Sequence, residues 1–370
     1  MAVLVLMVAL LFAVGVTPLV RQLALRINFV AVPKQDRLHT VVTPLMGGVA
    51  LYIGLVGSIL LLTVGATIVS ESANLDTTFP FGELLMVMFV GTLLAGIGLW
   101  DDWRALDSKV KLGLQLIPVV LLALTTDVQI AMPVPEALNF LLTVCWFLYL
   151  INAYNYTDNM DGIAAMIATV AGIFFTVIAV ITGQFLVASL AAAIAGTSFG
   201  FLRYNLFDPQ RKIFMGDVGT MFIGFLLAVI GLKLSFAAES PWVTWPVPVL
   251  VLGVPIFDTG MVFISRWRRG QSFLAGGTDH LSHRLSRLDL GRYGTPFAVG
   301  LLGMCLGSVA LIVMHSSLEN SIAAQIFVAL LALYALYRLE FKASYLFRTG
   351  KQEPVKVEPE PQPEEAQAVY

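Results

Sequence analysis

Apolar runs of membrane length alternate with short polar stretches along nearly the whole chain. About 17–25 predominantly apolar residues suffice to cross a bilayer as a helix. Such runs fall at 1–20, 45–69, 81–100, 110–127, 137–152, 163–181, 185–202, 217–237, 244–264, 296–314 and 321–340. The pattern predicts an all-α polytopic membrane protein of about eleven transmembrane helices, because in lipid a helix satisfies its own backbone. The fifth run is short and is expected to tilt or to thin the bilayer locally. In the ninth, Pro255 is expected to kink the helix and free a carbonyl. Met1–Val20 has no basic n-region and no convincing cleavage site, so it reads as the first span rather than a signal peptide. Residues 1–340 are expected to form one transmembrane domain. The stretch 341–370, rich in proline and acid, is expected to be a disordered tail.

Composition agrees. The chain is 58% hydrophobic and 12% charged, half of the roughly 25% charge of a soluble domain. Cys145 and Cys305 lie inside apolar runs and read as buried small hydrophobes, with little support for a disulfide. The net charge of −2 selects no partner. Its distribution is informative. With the amino terminus outside, every Lys and Arg except Lys233 falls in an inner loop or in the tail. The outer loops carry acids, Glu71, Asp76, Glu136, Glu239 and Glu319 among them. The expectation is a multi-pass protein of the cell (inner or plasma) membrane, with its carboxyl-terminal tail in the cytoplasm.

Four polar clusters interrupt the apolar pattern, all on the inner side under this orientation: Asp101-Asp102, Asn152 to Gly162, Gly216 to Thr220, and Asp279 to His283. Carboxylates are costly near lipid and signal function there. Asp101 and Asp102 are consecutive and cannot share a helix face, so one is expected to touch a metal or cation while the other accepts a proton. Lys109 and Lys111 follow; either can hold a phosphate as a point charge or simply anchor the inner end of the span. Asn152, Asn155, Asp158 and Asp161 are spaced three apart, one stripe if the segment is helical. Oxygen ligands of this type suit a hard cation such as magnesium, although an Asn/Asp/Gly-rich turn has the same composition. Asp217 reads as a metal ligand or a helix N-cap. Asp258 lies within a span and reads as a partner of Arg266 or Arg269, or as a direct participant. His280 and His283 fit phosphate contact or proton handling better than zinc. Arg284 and Arg287 add phosphate-type donors.

In this order the clusters resemble the polyprenyl-phosphate N-acetylhexosamine-1-phosphate transferases of bacterial envelope synthesis. The matching motifs are Asp101-Asp102, Asn152-x-x-Asn155-x-x-Asp158-x-x-Asp161-Gly162, Gly216-Asp217-x-Gly219-Thr220, Pro255-x-x-Asp258 and Asp279-His280-x-x-His283. The stretch His39-x-x-x-Thr43-Pro44-x-Met46-Gly47-Gly48 also resembles the family's first inner loop. Each is weak alone; six in order on one face are specific. The resemblance implies transfer of a sugar-1-phosphate, with N-acetylglucosamine favoured, from a UDP-sugar to a polyprenyl phosphate, releasing UMP. It implies magnesium, with manganese as the alternative, held by Asn155 and Asp217. It implies catalytic roles for Asp101, Asp102, Asp158, Asp161, His280 and His283. Substrate contacts are expected of Lys111, Asn152 and Arg284, and of His39 unless it is simply solvated. The implied partners are the UDP-sugar, the polyprenyl phosphate and the bilayer, with no nucleic acid and with homodimerisation open. Relatives of the N-acetylglucosamine type often read His-x-His-His, where this chain has Ser282; the muramoyl-pentapeptide branch carries three adjacent His, absent here. An ion-coupled transporter is the rival reading, but its acids would sit near mid-membrane, whereas here only Asp258 is clearly inside a span. A CDP-alcohol-type phosphotransferase would need an Arg that Asp161-Gly162-Ile163-Ala164-Ala165-Met166 lacks.

Overall fold

The computed structural model describes residues 1–31, 42–73, 81–236, 241–273 and 277–342. His39 and the tail beyond 342 lie outside the described residues. The chain divides into two units, Met1–Phe327 and Val328–Tyr370. The main helices of the first unit are α1 (Ala2–Arg26), α2 (Gly47–Ala73), α3 (Phe81–Trp103), α4 (Ser108–Thr125), α5 (Glu136–Thr157), α6 (Ile163–Ile181), α7 (Phe185–Leu202) and α8 (Gly216–Lys233). After them come α9 (Pro241–Thr244), α10 (Pro246–Val251), α11 (Gly253–Arg268), α12 (Leu281–Leu285) and α13 (Gly291–Val313). A final helix, α14 (Leu318–Tyr337), runs into the second unit. The described strand pairing is one two-residue antiparallel bridge, Val30–Ala31 with Thr43–Pro44. This is an all-α polytopic membrane protein.

Nine described helices are long and apolar enough to cross a membrane, and a tenth span results if the bent pair Trp242–Val251 and Gly253–Arg268 is counted as one. The remaining run of the sequence count is α2, apolar over Gly47–Leu61. Two expectations need correction. The fifth helix is not short: α5 runs 22 residues. It continues past the apolar run because Asn152 and Asn155 are turned toward Gln115 and Asp217 of neighbouring helices, and Thr157 donates back to the Tyr154 carbonyl, so that polar side chains are tolerated. The ninth run does not kink at Pro255. It breaks at Leu252, where α10 and α11 meet at 78°. Pro255 sits in the first turn of α11, where a missing N–H costs nothing.

Helix α8 is the axis of the bundle, buried from Val218 through Ile230. It packs against α2, α3 and α5. The α3–α8 pair is antiparallel, and polar contacts mark both of its ends. Lys233, the one cation on the outer side of the charge pattern, pairs with Glu83 at 2.7 Å. At the opposite end Asp102 meets the start of α8. Gly48 of α2 and Gly219 of α8 touch so closely that a Cβ at 48 would collide with the backbone at 219. Small residues at such crossings let transmembrane helices approach. The same device joins α7 to α1, through Gly196 and Gly200 against Leu6, Ala9, Leu10 and Ala13. Cys145 and Cys305 are free and exposed on the outside of the bundle, not buried as expected; on a lipid-facing surface a thiol serves as a small apolar group.

Candidate active site

Four helix ends converge: the carboxyl ends of α3 and α5 and the amino ends of α4 and α8. The turn after α3 is short because Asp107 caps α4, accepting from the Lys109 N–H at 2.9 Å. Lys111 is thereby brought back against the end of α3. Its ammonium pairs with Asp101 at 2.9 Å and with Asp217, and lies 3.4 Å from the Asn155 Oδ1. Asp101 also accepts from the Leu106 N–H at 2.6 Å. Asp102 turns the other way. It accepts from the Asp217 and Val218 N–H groups at 3.0 and 3.3 Å, satisfying donors that the start of α8 leaves free. Asp217 is therefore not the cap of its own helix: Asp102, reaching across from α3, does that work. Gly216 is required there, with φ +69° and a Cβ position only 2.5 Å from the Asp102 carboxylate. The two consecutive acids have different partners yet serve one cluster.

Asn155 donates to Asp217 at 2.9 Å and to Thr220 at 2.7 Å. Asp158 ends α5 and accepts from the Gly216 N–H. Burial, and then the charges of Asp217 and Asp161, push its carboxyl from the ordinary 3.8 up to about 7. The cluster thus holds Asp101, Asp102, Asp158 and Asp217 against one ammonium. The expected stripe of four does not form. The helix stops at Thr157, and Asp161 faces Lys212 at 2.8 Å and Arg292 at 3.6 Å, away from Lys111. Asn152 lies one turn deeper than Asn155 and donates to the buried Gln115 at 2.7 Å.

The histidine loop is built differently. Asp258 accepts from the Leu281 N–H at 2.5 Å and faces the His280 Nδ1 at 2.8 Å, so its partner is His280 rather than Arg266 or Arg269. Those arginines go to Asp279: Arg266 by two bonds of 3.1 Å, and Arg269 by one of 2.6 Å. Burial alone would raise the Asp279 carboxyl, but the Arg266 contacts dominate and hold it at about 2. Arg284, expected to contact substrate, is buried and donates to the Asp279 carbonyl at 2.9 Å and to the Ser265 hydroxyl at 3.0 Å. His283 is buried as well. Burial, then the neighbouring His280 and Arg287 charges, lower its pKa to about 4.

Several supporting residues escaped sequence reasoning. Asn205, 3% exposed, accepts from the Gly162 N–H at 2.7 Å and donates to the Ile213 carbonyl at 3.0 Å, pinning the asparagine-rich turn to the approach of α8. Gln115 was equally silent, whereas Thr220 was read only as the end of the Gly216-Asp217-x-Gly219-Thr220 motif, without its bond to Asn155. The only signal of Gln115 is a polar residue within an apolar run. The loop around Thr43–Gly48 also belongs here, since Gly47 and Gly48 donate to the Phe214 and Met215 carbonyls at 2.8 and 2.7 Å.

Among the described residues no three His, Cys, Asp or Glu side chains form a ready-made metal-ligand group. The donor set nevertheless fits a hard cation. It is all oxygen, and its carboxylates outnumber its cations.

Sequence comparison agrees with this geometry. The sequence model of Glycosyl transferase family 4 matches residues 84–235, a range that contains the whole carboxylate cluster. A probable undecaprenyl-phosphate N-acetylglucosaminyl 1-phosphate transferase of Bacillus subtilis is 30% identical over 318 residues, covering 84% of each chain. Decaprenyl-phosphate N-acetylglucosaminephosphotransferase of Mycobacterium tuberculosis is 30% identical over 301 residues, covering 73% of this chain and 72% of its own. Phospho-N-acetylmuramoyl-pentapeptide-transferase of Streptococcus pneumoniae is 29% identical over 238 residues, covering 60% and 66% respectively. With its cluster of helix-end carboxylates and relatives matched across most of their length, the chain belongs to the polyprenyl-phosphate N-acetylhexosamine-1-phosphate transferase family.

Proposed function

We propose that this chain transfers N-acetylglucosamine-1-phosphate from its UDP-sugar to an undecaprenyl-type phosphate, yielding a lipid diphosphate sugar and UMP. An oxygen of the lipid phosphate attacks the sugar-bearing phosphorus. The bond from that phosphorus to the bridging oxygen breaks, and UMP leaves with the electron pair. Both reactants are anions, so charge neutralisation is the main task.

The observation that carries the reading is the meeting of Asp101, Lys111, Asn155, Asp158 and Asp217 at one end of the bundle. That is where a headgroup phosphate and a water-borne nucleotide have access to each other. Asp217 and Asn155 would hold magnesium or manganese, which when bound neutralises diphosphate charge and stabilises the leaving UMP. Lys111 holds Asp101 and Asp217 together and supplies a point charge for a phosphate oxygen. Asp102 keeps the start of α8 in register, so that Asp217 is presented with its helix N–H groups already satisfied. Asp158, near half-ionised at neutral pH, can accept or return a proton at a phosphate oxygen. Asp258 engages the His280 Nδ1 and leaves Nε2 for substrate. His283 stays neutral and offers a hydrogen bond rather than charge.

In this reading the amino terminus faces outward and the site opens to the cytoplasm, which the Lys and Arg distribution supports. A transporter is disfavoured because the acids gather at one set of helix ends. The test is transfer of radiolabel from UDP-N-acetylglucosamine, UDP-N-acetylgalactosamine and UDP-N-acetylmuramoyl-pentapeptide to polyprenyl phosphate in membranes, with and without EDTA. Lipid-linked label from the first donor, abolished by chelation and restored by magnesium, is expected. Label that survives thorough chelation would remove the metal from the proposal, and preference for another donor would reassign the sugar.

A further inference from the structure

The histidine loop carries a contact that the proposed chemistry does not use. Ser282 is 3% exposed and lies between His280 and His283. Its hydroxyl donates to the Asn159 Oδ1. The direction of that bond is set by the amide's other end, because the Asn159 Nδ2 donates to the Tyr156 carbonyl at 2.8 Å. Tyr156 in turn sets its ring edge-on to His280, with centroids 6.2 Å apart. The Asp258, Arg266 and Arg284 bonds tie the loop to α11 or close it on itself. The Ser282 bond instead crosses to the segment that carries Asn155 and Asp158.

We propose that Ser282 is a positioning residue, latching the histidine loop to the asparagine-rich segment through Asn159 and so setting His280 and His283 against the carboxylate cluster. The two halves of the site come from chain segments more than a hundred residues apart, and Ser282 and Asn159 are separated by 123. Without the latch the loop remains folded on α11 by its arginine–aspartate bonds, but its distance from the cluster is free to vary. An error of about 1 Å in such a distance is costly to a group transfer. The inference rests on the transfer reading above.

The variants are Ser282→Ala, Ser282→Thr, Asn159→Ala and the double variant, assayed for label transfer in purified, detergent-solubilised full-length enzyme alongside thermal unfolding. Threonine keeps the hydroxyl, and a small cavity bordered by Asn159, Ile163, Ile167 and Val299 receives its methyl. Ser282→Ala is expected to lower kcat about tenfold, with KM for the nucleotide sugar within about twofold of wild type. Ser282→Thr is expected to recover most of the loss, and the double variant to be no slower than the slower single one, because coupled residues are not additive. Wild-type kcat in Ser282→Ala overturns the latch. So do additive losses in the double variant, or a loss that tracks unfolding and that threonine does not recover. If wild-type enzyme transfers no label at all, the reading of the site fails before the latch is tested.

Discussion

The carboxylate cluster and the histidine loop lie close together and follow opposite electrostatic rules. In the cluster, Asp101 and Asp217 share the single ammonium of Lys111, while Asp102 and Asp158 accept only from backbone N–H groups; burial, and then the neighbouring carboxylates, raise the Asp158 carboxyl. In the loop, Asp279 is surrounded by Arg266 and Arg269 and is held at about 2. The loop's Asp279 is matched by guanidinium groups, whereas the cluster's carboxylates outnumber its ammonium. In the function proposed above, the cluster receives the cation and the loop holds two imidazoles in place. Their mountings differ too. The cluster sits on ends of long spans, whose packing is set along their full length, whereas the loop hangs from α11 by side-chain bonds.

Substitutions at the two regions should separate accordingly. The largest effect is expected from Asp217→Asn, which removes the anion shared by Lys111 and Asn155: transfer should fall about a thousandfold, with thermal unfolding little changed. Retention of even a tenth of the activity would displace the site from this cluster. Lys111→Met should follow with a loss of about a hundredfold, leaving Asp101 and Asp217 facing each other without their shared cation. Asp102→Asn tests structure and chemistry together. Weakening an anionic acceptor at the start of α8 should cost about 1 kcal/mol of stability as well as activity, read from unfolding and transfer side by side.

Asp158 should be seen in pH dependence. Its carboxyl is raised from 3.8 to about 7, so the folded chain favours the protonated form. Its contribution to stability is then full below pH 3.8 and is lost as pH rises toward 7, in cation-free buffer. Activity measured against pH should show a limb near 7 that Asp158→Asn lacks. The smallest effect belongs to the loop. His283 is held near 4 and is neutral at pH 7, so His283→Gln should retain more activity than His283→Ala, by about fivefold. Its lowered pKa also means that its contribution to stability is lost as pH falls from 6.5 toward 4. Equal losses in Gln and Ala would show that the ring's contribution is not a hydrogen bond that an amide can replace.

Much of this was legible in the chain. Span positions follow from hydrophobic length, and Asp101, Asn155 and Asp217 were identifiable because an acid or amide at the edge of lipid has few structural excuses. What was not legible was pairing. Asp258 looked suited to Arg266, Arg269 or a direct role, and only the folded chain shows its partner to be His280. Asp161 read as a member of the metal stripe, since three-residue spacing implies one face only while the helix lasts. The helix ends at Thr157, and Asp161 turns to Lys212. Gln115 and Asn205 carried no distinguishing signal, and Ser282 stood out only as a departure from His-x-His-His, because a polar residue bonded to a distant neighbour looks like any other until the neighbour is known.

Taken alone, the order of residues determined that this is a bundle of membrane helices and which polar segments share one side of it, because burial of apolar length and placement of charge are local, additive quantities. Tertiary structure decided which acid caps α8, which faces Lys111, and which orients His280. Those outcomes depend on helices separated by tens to hundreds of residues meeting within hydrogen-bonding distance, and packing at small-residue crossings such as Gly48 against Gly219 sets that distance.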